Sequence, residues 1–220
     1  MFGNENSNNS FHDRTNKMTA KQKILDLALE TFLREGFYKT TMDELAAKLR
    51  VSKKTIYKNF ATKEDLLKEV TRHFLKNNHD AVKQSVKIES NAVEKLSDIT
   101  KTIGNIVTRV SDKMISDLHN YSPELWKEID EFRTKMMIKT FSKIIQQGKA
   151  EGYIRNINSQ VMIIAFISSL RGVANPEFVI SNKITISEAL ETTISIFLNG
   201  ILTDKGMKIF SKLNNNGAKK

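Results

Sequence analysis

Residues 41–60 read TMDELAAKLRVSKKTIYKNF, and this segment contains two short helical patterns with a tight turn between them. Its apolar residues recur at the spacing that packs one short helix against another; they are Leu45, Ala46, Leu49, Val51, Ile56 and Phe60. Residues 49–52 connect the two patterns. A helix, a turn of three or four residues and a second helix form the helix-turn-helix pattern, in which the second helix lies in the major groove of DNA.

Each helical pattern around this segment begins at a residue that caps a helix. Thr41 precedes Glu44 at the spacing of a capping box, Ser52 stands directly before 53–59, and Thr62 precedes Asp65 at the start of a longer helix. Upstream, an apolar face predicts a first helix that ends at Gly36; the residues of that face are Ile24, Leu25, Ala28 and Phe32. The segment therefore lies within a compact set of short helices.

Positive charge is concentrated on the second helix of the pair. If Ile56 and Phe60 face inward, the polar residues of that helix lie on or beside its outer surface; they are Lys53, Lys54, Thr55, Tyr57 and Lys58. Between Lys39 and Lys63 there are seven basic residues and two acids, a local excess of +5 in a chain whose net charge is +10. Basic groups of this kind neutralise phosphates, so DNA binding is the favoured function. A helical protein–protein interaction module with an incidental basic face is the alternative.

Residues 18–74 resemble the N-terminal DNA-binding domain of the TetR/AcrR family of bacterial transcriptional regulators. The matching features are Ile24-Leu25-Asp26-Leu27-Ala28, Phe32, Gly36-Phe37, Thr41-Met42-Asp43-Glu44-Leu45-Ala46, Val51-Ser52-Lys53, Ile56-Tyr57, Phe60 and Lys63-Glu64-Asp65-Leu66-Leu67. The remainder of the chain is similar to the family in length, in helical content and in short phrases such as Pro123-Glu124-Leu125-Trp126.

The resemblance implies a homodimeric regulator, most often a repressor, that binds a palindromic operator in duplex DNA and is released by a small-molecule effector. By position, Thr41 and Lys63 are expected to contact phosphates at two helix starts. The expected contacts of the recognition helix come from Ser52, Lys53, Lys54, Thr55, Tyr57 and Lys58. Arg50 departs from the family, which usually has Gly there. A left-handed backbone costs Arg on the order of 1 kcal/mol, although its charge offers a further phosphate contact.

Composition and helical periodicity predict an all-α fold. The chain has 220 residues with no Cys, 9 Gly and 2 Pro, which excludes disulfide scaffolds and disfavours sandwiches and barrels. No apolar run approaches the ~18 residues of a membrane span, and the start of the sequence does not resemble a secretory signal, so a cytoplasmic protein is expected. The predicted parts are disordered tails at 1–17 and 214–220, a three-helix DNA-binding domain at 18–76, and a larger helical domain at 77–213 for effector binding and dimerisation.

The larger domain contains large apolar side chains and a few polar ones that are candidates for an effector pocket. They are His119, Tyr121, Trp126, Phe132, Arg133, Met136, Thr140, Phe141, Met162 and Phe166. An ordinary core is the alternative for each of them. Arg133 is a candidate partner for an acidic effector, or simply for Glu128 or Asp130. The histidines are scattered, and no catalytic or metal-ligating constellation is present in the sequence. We therefore expect that the protein is not an enzyme and that it binds no metal or cofactor.

Two predicted helices, about 159–173 and 186–202, are apolar on nearly every side. A helix of this kind must be buried on several sides, and burial against a second copy of the chain is a natural solution. The candidate interface residues are Ile167, Leu170, Leu190, Ile194, Phe197 and Ile201. The small residues nearby would allow close approach; they are Ser168, Ser169, Gly172 and Ala174. The resemblance places dimerisation in the same final pair of long helices.

Overall fold

The computed structural model describes residues 19–87 and 89–215, and within these ranges the chain forms eleven α-helices. They are α1 (Ala20–Glu35), α2 (Met42–Leu49), α3 (Lys53–Asn59), α4 (Lys63–Lys87), α5 (Ala92–Val107), α6 (Asp112–Tyr121), α7 (Pro123–Ala150), α8 (Ser159–Val173), α9 (Pro176–Asn182), α10 (Ile186–Ile201) and α11 (Asp204–Asn215). The described residues contain no β-strand, only an isolated antiparallel bridge between Ile154 and Leu202. The all-α prediction is confirmed.

The chain divides into two compact units, and the boundary falls between Phe74 and Leu75 inside α4. The boundary expected from the sequence, after residue 76, lies two residues further along the same helix. Residues 214 and 215, which fall in the predicted C-terminal tail, are the last two residues of α11. The rest of both predicted tails lies outside the described residues. In the part of the chain that is described, no helix is long and apolar enough to cross a membrane.

The first unit contains α1, α2, α3 and the first half of α4. Thr19 begins α1 with a capping box, since its hydroxyl accepts from the N–H of Gln22 at 3.2 Å and its own N–H donates to Oε1 of Gln22 at 3.0 Å. Gly36 follows the last residue of α1 with φ 77°, a conformation that favours glycine. The core of α1 consists of Ile24, Ala28, Leu29, Phe32 and Leu33. Leu25, expected on this face, is only half-buried.

The second unit is built around α5, α7, α8 and α10, which pack against one another. Asn91 starts α5 with a capping box, because its Oδ1 accepts from the N–H of Glu94 at 3.0 Å and the Glu94 carboxylate accepts from the N–H of Asn91 in return. Three aromatic rings occupy the centre: the Phe141 and Phe166 centroids are 5.3 Å apart, and Phe166 stacks on Phe197 at 4.1 Å. The amphipathic α11 packs against α5.

Helix α7 runs from Pro123 to Ala150, and neither end is closed by a side-chain cap within the described residues. Ser122 does precede Pro123 at the helix start, but its side chain makes no capping hydrogen bond, since Ser122 also ends α6 with ψ 59°. At the other end, Gly152 (φ 74°) follows the helix, whereas Gly148 lies inside it. A Cβ at Gly148 would lie 2.5 Å from Cδ1 of Ile154, so this glycine is explained by packing. The short helices α6 and α9 were not expected.

Candidate functional sites

The turn between α2 and α3 has the geometry that the helix-turn-helix pattern predicted. Thr41 caps α2, with its Oγ1 accepting from the N–H of Glu44 at 3.1 Å and its N–H donating to the Glu44 carboxylate at 2.8 Å. Arg50 ends α2 in the left-handed region at φ 55° and ψ 39°. The N–H of Arg50 donates to the carbonyl oxygen of Ala47 at 3.1 Å, and the N–H of Val51 donates to the carbonyl oxygen of Ala46 at 3.0 Å. This pair of hydrogen bonds is a Schellman motif. Arg50 thus adopts the conformation that glycine would favour.

Helix α3 is held by its capping residue and by its buried side. The Ser52 hydroxyl accepts from the Thr55 N–H at 3.1 Å and shares a 2.8 Å hydrogen bond with the Thr55 hydroxyl. Ile56 and the adjoining Phe60 are buried. As predicted, the long polar side chains are therefore on the outside: Lys53, Lys54, Tyr57 and Lys58 are exposed, and only Thr55 is half-buried. Tyr57, at 49% exposure, presents its ring to solvent.

Several basic groups in this region have protein partners. The ammonium group of Lys53 forms an ion pair with the Asp43 carboxylate of α2, whose hydrogen bond raises the pKa of Lys53. Lys63 donates to the carbonyl oxygen of Tyr38 at 2.7 Å. Sequence reasoning did not identify Asp43, since ten residues separate it from Lys53 and no local spacing rule joins them. By contrast, Arg50, Lys54 and Lys58 form no ion pair within the described residues.

The comparisons with known proteins agree with this geometry. The family model of the bacterial regulatory proteins of the tetR family matches residues 24–70, a range that contains most of α1, all of α2 and α3, and the start of α4. The first unit therefore carries a DNA-binding domain of the TetR family. The chain is a DNA-binding transcriptional regulator, and the alternative of a protein–protein interaction module is not favoured.

Two curated regulators and one solved structure match this chain over most of their length. The HTH-type transcriptional regulator YvaF of Bacillus subtilis strain 168 is 26% identical over 80% of this chain and 94% of its own. The HTH-type transcriptional repressor KstR2 of Mycolicibacterium smegmatis is 22% identical over 86% of this chain and 93% of its own length. A transcriptional regulator from Saccharomonospora viridis, solved in complex with choline, shares the fold with a TM-score of 0.63 at 16% identity, over 84% of this chain and 98% of that one.

A cavity of about 290 Å³ lies between α7 and α8 of the second unit. Its lining residues are Trp126, Lys127, Ile129, Asp130, Arg133 and Met137 from α7, with Ile167, Leu170, Arg171 and Ala174 from α8 and the residue that follows it. One charge pair spans the two helices: Nε of Arg171 donates to Oδ1 of Asp130 at 3.0 Å, and Nη2 is 2.7 Å from Oδ2. Arg171 also donates to the Thr134 hydroxyl at 2.8 Å.

Two of the predicted pocket residues, Trp126 and Arg133, line this cavity. Three others lie in the hydrophobic core instead, namely Phe141, Met162 and Phe166. Met136 and Thr140 are half-buried, while His119, Tyr121 and Phe132 are exposed. The ring of His119 packs edge-on against that of Trp126, with 6.1 Å between the ring centroids, and the rings of Phe132 and His79 pack in the same way at 6.2 Å. Within residues 19–87 and 89–215, no group of three or more His, Asp or Glu side chains is placed to bind a metal ion.

The predicted dimer residues face the interior of their own subunit. Five of the six are buried there, namely Ile167, Leu170, Leu190, Ile194 and Ile201, and Phe197 is half-buried. A side chain buried within one subunit cannot supply the surface that contacts another, so this assignment is corrected. The apolar side chains exposed on the same two helices are Val161 (62%) and Ile164 (55%) of α8 and Ile196 (69%) of α10.

Proposed function

We propose that this TetR-family protein is a ligand-responsive repressor that binds a palindromic operator as a homodimer. The observation that carries the proposal is the surface of α3, where a capped helix anchored by Ile56 and Phe60 exposes Lys53, Lys54, Tyr57 and Lys58. A short, solvent-exposed basic helix behind a tight turn suits the major groove. The repressor role is supported by the relative named a repressor. We also infer a cytoplasmic protein without catalytic activity.

On DNA, the side chains divide by the contacts that they are suited to make. Arg50, Lys54 and Lys58 are exposed cations without an ion-pair partner in the described chain, and they would neutralise phosphates. Tyr57 would contact sugar and base edges. Thr41, Ser52 and Lys63 lie at three helix starts, where backbone N–H groups favour phosphate oxygens. Lys53 and Thr55 are held by Asp43 and Ser52, which orients them for base readout.

Dimerisation through α8 and α10 is supported by apolar side chains that no other part of the described chain covers. Val161, Ile164 and Ile196 are more than half exposed. Gly172 and Gly200 lie on the same helices, and an added Cβ at either would have no neighbour within 4 Å among the described residues outside its own stretch of helix backbone. A helical glycine costs stability compared with alanine, and the close approach of a second copy would explain it. Two recognition helices would then read two half-sites of a palindrome.

The cavity between α7 and α8 is the proposed effector site. An effector acts by binding the form of the dimer that does not fit the operator better than the form that does, and it lowers operator affinity only by that difference. The combination of apolar walls and a few charged groups is the usual composition of a small-molecule site.

A protection experiment with a salt titration tests the proposal. The full chain should protect a palindromic segment in DNA from its own genomic neighbourhood, and its affinity should fall steeply as salt rises. Tyr57→Ala should weaken operator binding at least about tenfold, the cost of about one good base contact, while the dimer persists in sedimentation velocity. Tyr121→Ala, at an exposed tyrosine of the second unit, is the matched control. Equal, weak binding to all sequences would instead indicate an incidental basic face.

A further inference from the structure

The walls of the cavity between α7 and α8 are mostly apolar. Trp126, Ile129 and Met137 of α7 face Ile167 and Leu170 of α8 across it. Its volume of about 290 Å³ is near the lower end of the range for small-molecule pockets, roughly 300–1,000 Å³. These dimensions suit a small molecule with an aliphatic or aromatic body.

The charged groups at the cavity do not cancel. Asp130 is the single carboxylate among its lining residues, against three cations, Lys127, Arg133 and Arg171. Both carboxylate oxygens of Asp130 are engaged by Arg171, at 3.0 and 2.7 Å, so these two residues neutralise each other. Lys127 is highly exposed and approaches Glu131 at 4.0 Å, on the solvent side. The uncompensated positive charge that borders the apolar walls is therefore that of Arg133.

The guanidinium of Arg133 has no carboxylate within ion-pair distance among residues 19–87 and 89–215. Arg133 is an exposed residue that lines the cavity, and desolvation of its guanidinium lowers the pKa of that group against the opposing effect of Asp130. Arginine stays protonated in proteins. A cation that borders apolar walls and has no counter-charge is suited to receive the anionic group of a ligand through charge-assisted hydrogen bonds.

We propose that this cavity binds a small amphipathic carboxylate, with the carboxylate group on Arg133 and the apolar body between Trp126 and the α8 wall. The guanidinium presents two parallel N–H donors that match a carboxylate. The same charges disfavour a cation, which distinguishes this site from the choline complex of the Saccharomonospora viridis regulator. The role of the ligand as an effector rests on the proposed function, whereas the binding itself does not.

Calorimetric titration of the full-length, DNA-free protein tests the charge preference with three probes of matched chain length. Sodium octanoate should bind, while 1-octanol and octylammonium should bind at least about tenfold more weakly, because they lack the charge-assisted hydrogen bonds to Arg133. Choline should not bind. Equal affinity for the three octyl probes, preference for a cation, or no heat with octanoate at millimolar concentration would each overturn the proposal.

Substitution of Arg133 locates the anion. Arg133→Met preserves the length of the side chain and should weaken octanoate binding at least about tenfold. Arg133→Lys should recover part of the loss, since the charge remains but the planar pair of donors does not. The control is Arg109→Met, which removes an exposed arginine that does not line the cavity and should leave octanoate affinity unchanged. If Arg133→Met binds octanoate as the parent does, the anion lies elsewhere and the proposal is wrong.

Operator binding measured with and without octanoate separates this proposal from the proposed function. Octanoate binding that depends on Arg133 but leaves the operator complex intact would support the carboxylate site and count against its effector role. Operator release by octanol or octylammonium, with no contribution from Arg133, would support a ligand-responsive repressor and overturn the carboxylate site.

Discussion

The ammonium group of Lys53 on the recognition helix α3 is ion-paired with the carboxylate of Asp43 on α2. Both side chains are more than half exposed, so the pair contributes little to the stability of the fold. Its effect is on DNA binding, because a lysine that already has a counter-charge gains less from a phosphate. Asp43 also carries a negative charge close to any DNA that α3 contacts.

Replacement of Asp43 by Asn should raise affinity for DNA of random sequence by about two- to fivefold, the effect of one exposed charge pair. Lys53 would then be available to any phosphate, and a like charge would be removed from the neighbourhood of the DNA backbone. Operator affinity should rise less, so that the ratio of operator to random binding falls. Fluorescence anisotropy at several salt concentrations measures both, and the salt slope should steepen by about one.

The control for this charge change is Glu128→Gln, which removes an exposed acid from α7 in the second unit. It alters net charge by the same amount and should leave the operator-to-random ratio unchanged. An Asp43→Asn protein with an unchanged or higher ratio would show that Asp43 does not restrain Lys53.

Arg50→Gly and Arg50→Ala should differ in stability but not in DNA affinity. At φ 55°, Gly avoids a left-handed penalty that Ala retains, so the Gly variant should be more stable than the Ala variant by about 1 kcal/mol in urea unfolding. Both variants lose the charge and should show the same decrease of about one in salt slope. Equal stabilities would indicate that the turn is unstrained, and a salt slope like that of the parent would exclude a phosphate contact.

Gly172→Ala and Gly200→Ala should weaken the dimer. A Cβ added at either glycine would have open space around it among the described residues. An added methyl group there would therefore disturb only the packing of a second copy against this surface. Every substitution occurs twice in a symmetric interface, and overpacking by two methyl groups should raise the dimer dissociation constant at least about tenfold in sedimentation velocity.

Gly104→Ala serves as the control for these two variants, because Gly104 is also helical and also has open space around it, but lies on α5. It should stabilise the protein by about 0.5–1 kcal/mol through helix propensity alone and leave the dimer unchanged. If Gly172→Ala and Gly200→Ala behave in the same way as Gly104→Ala, the second copy does not bind to α8 and α10.

Gly148→Ala should destabilise the second unit by about 1–3 kcal/mol, the usual cost of overpacking. The new Cβ would lie 2.5 Å from Cδ1 of Ile154 and 3.0 Å from Cβ of Ala92, and both neighbours are fully buried. Thermal unfolding measures the loss. Ile154→Val in the same background shortens the side chain and should restore part of it; a neutral Gly148→Ala would show that Ile154 moves aside without cost.

The helix starts and the helix-turn-helix were predictable because they depend on neighbouring residues. Thr41 with Glu44, Ser52 with Thr55, and Asn91 with Glu94 lie within one turn of each other, and the structure shows a cap at each. The buried spacing of Ile56 and Phe60 likewise follows from a single helix. Sequence periodicity therefore identified the basic face of α3 before any tertiary contact was known.

The assignment of core, cavity and interface was not predictable in the same way, since it depends on contacts between distant segments. Phe166 occupies the core because Phe141 and Phe197 lie against it, whereas Trp126 borders a cavity, although both are aromatic residues on apolar helices. On α8, Ile164 and Ile167 differ in burial only through their neighbours. The pairing of Arg171 with Asp130 joins residues 41 positions apart, and no local pattern reveals it.

The recognition helix α3 has seven residues, of which only Ile56 is buried. A helix this short does not persist alone in water, and here it packs against α1 and α2. The preference for a DNA sequence therefore cannot be transferred to another protein by moving α3 alone. In a chimeric regulator made by exchanging residues 52–60 alone, the new helix would pack against α1 and α2 residues that do not match it. The unit to exchange in a redesign is therefore the whole segment from residue 19 to residue 74.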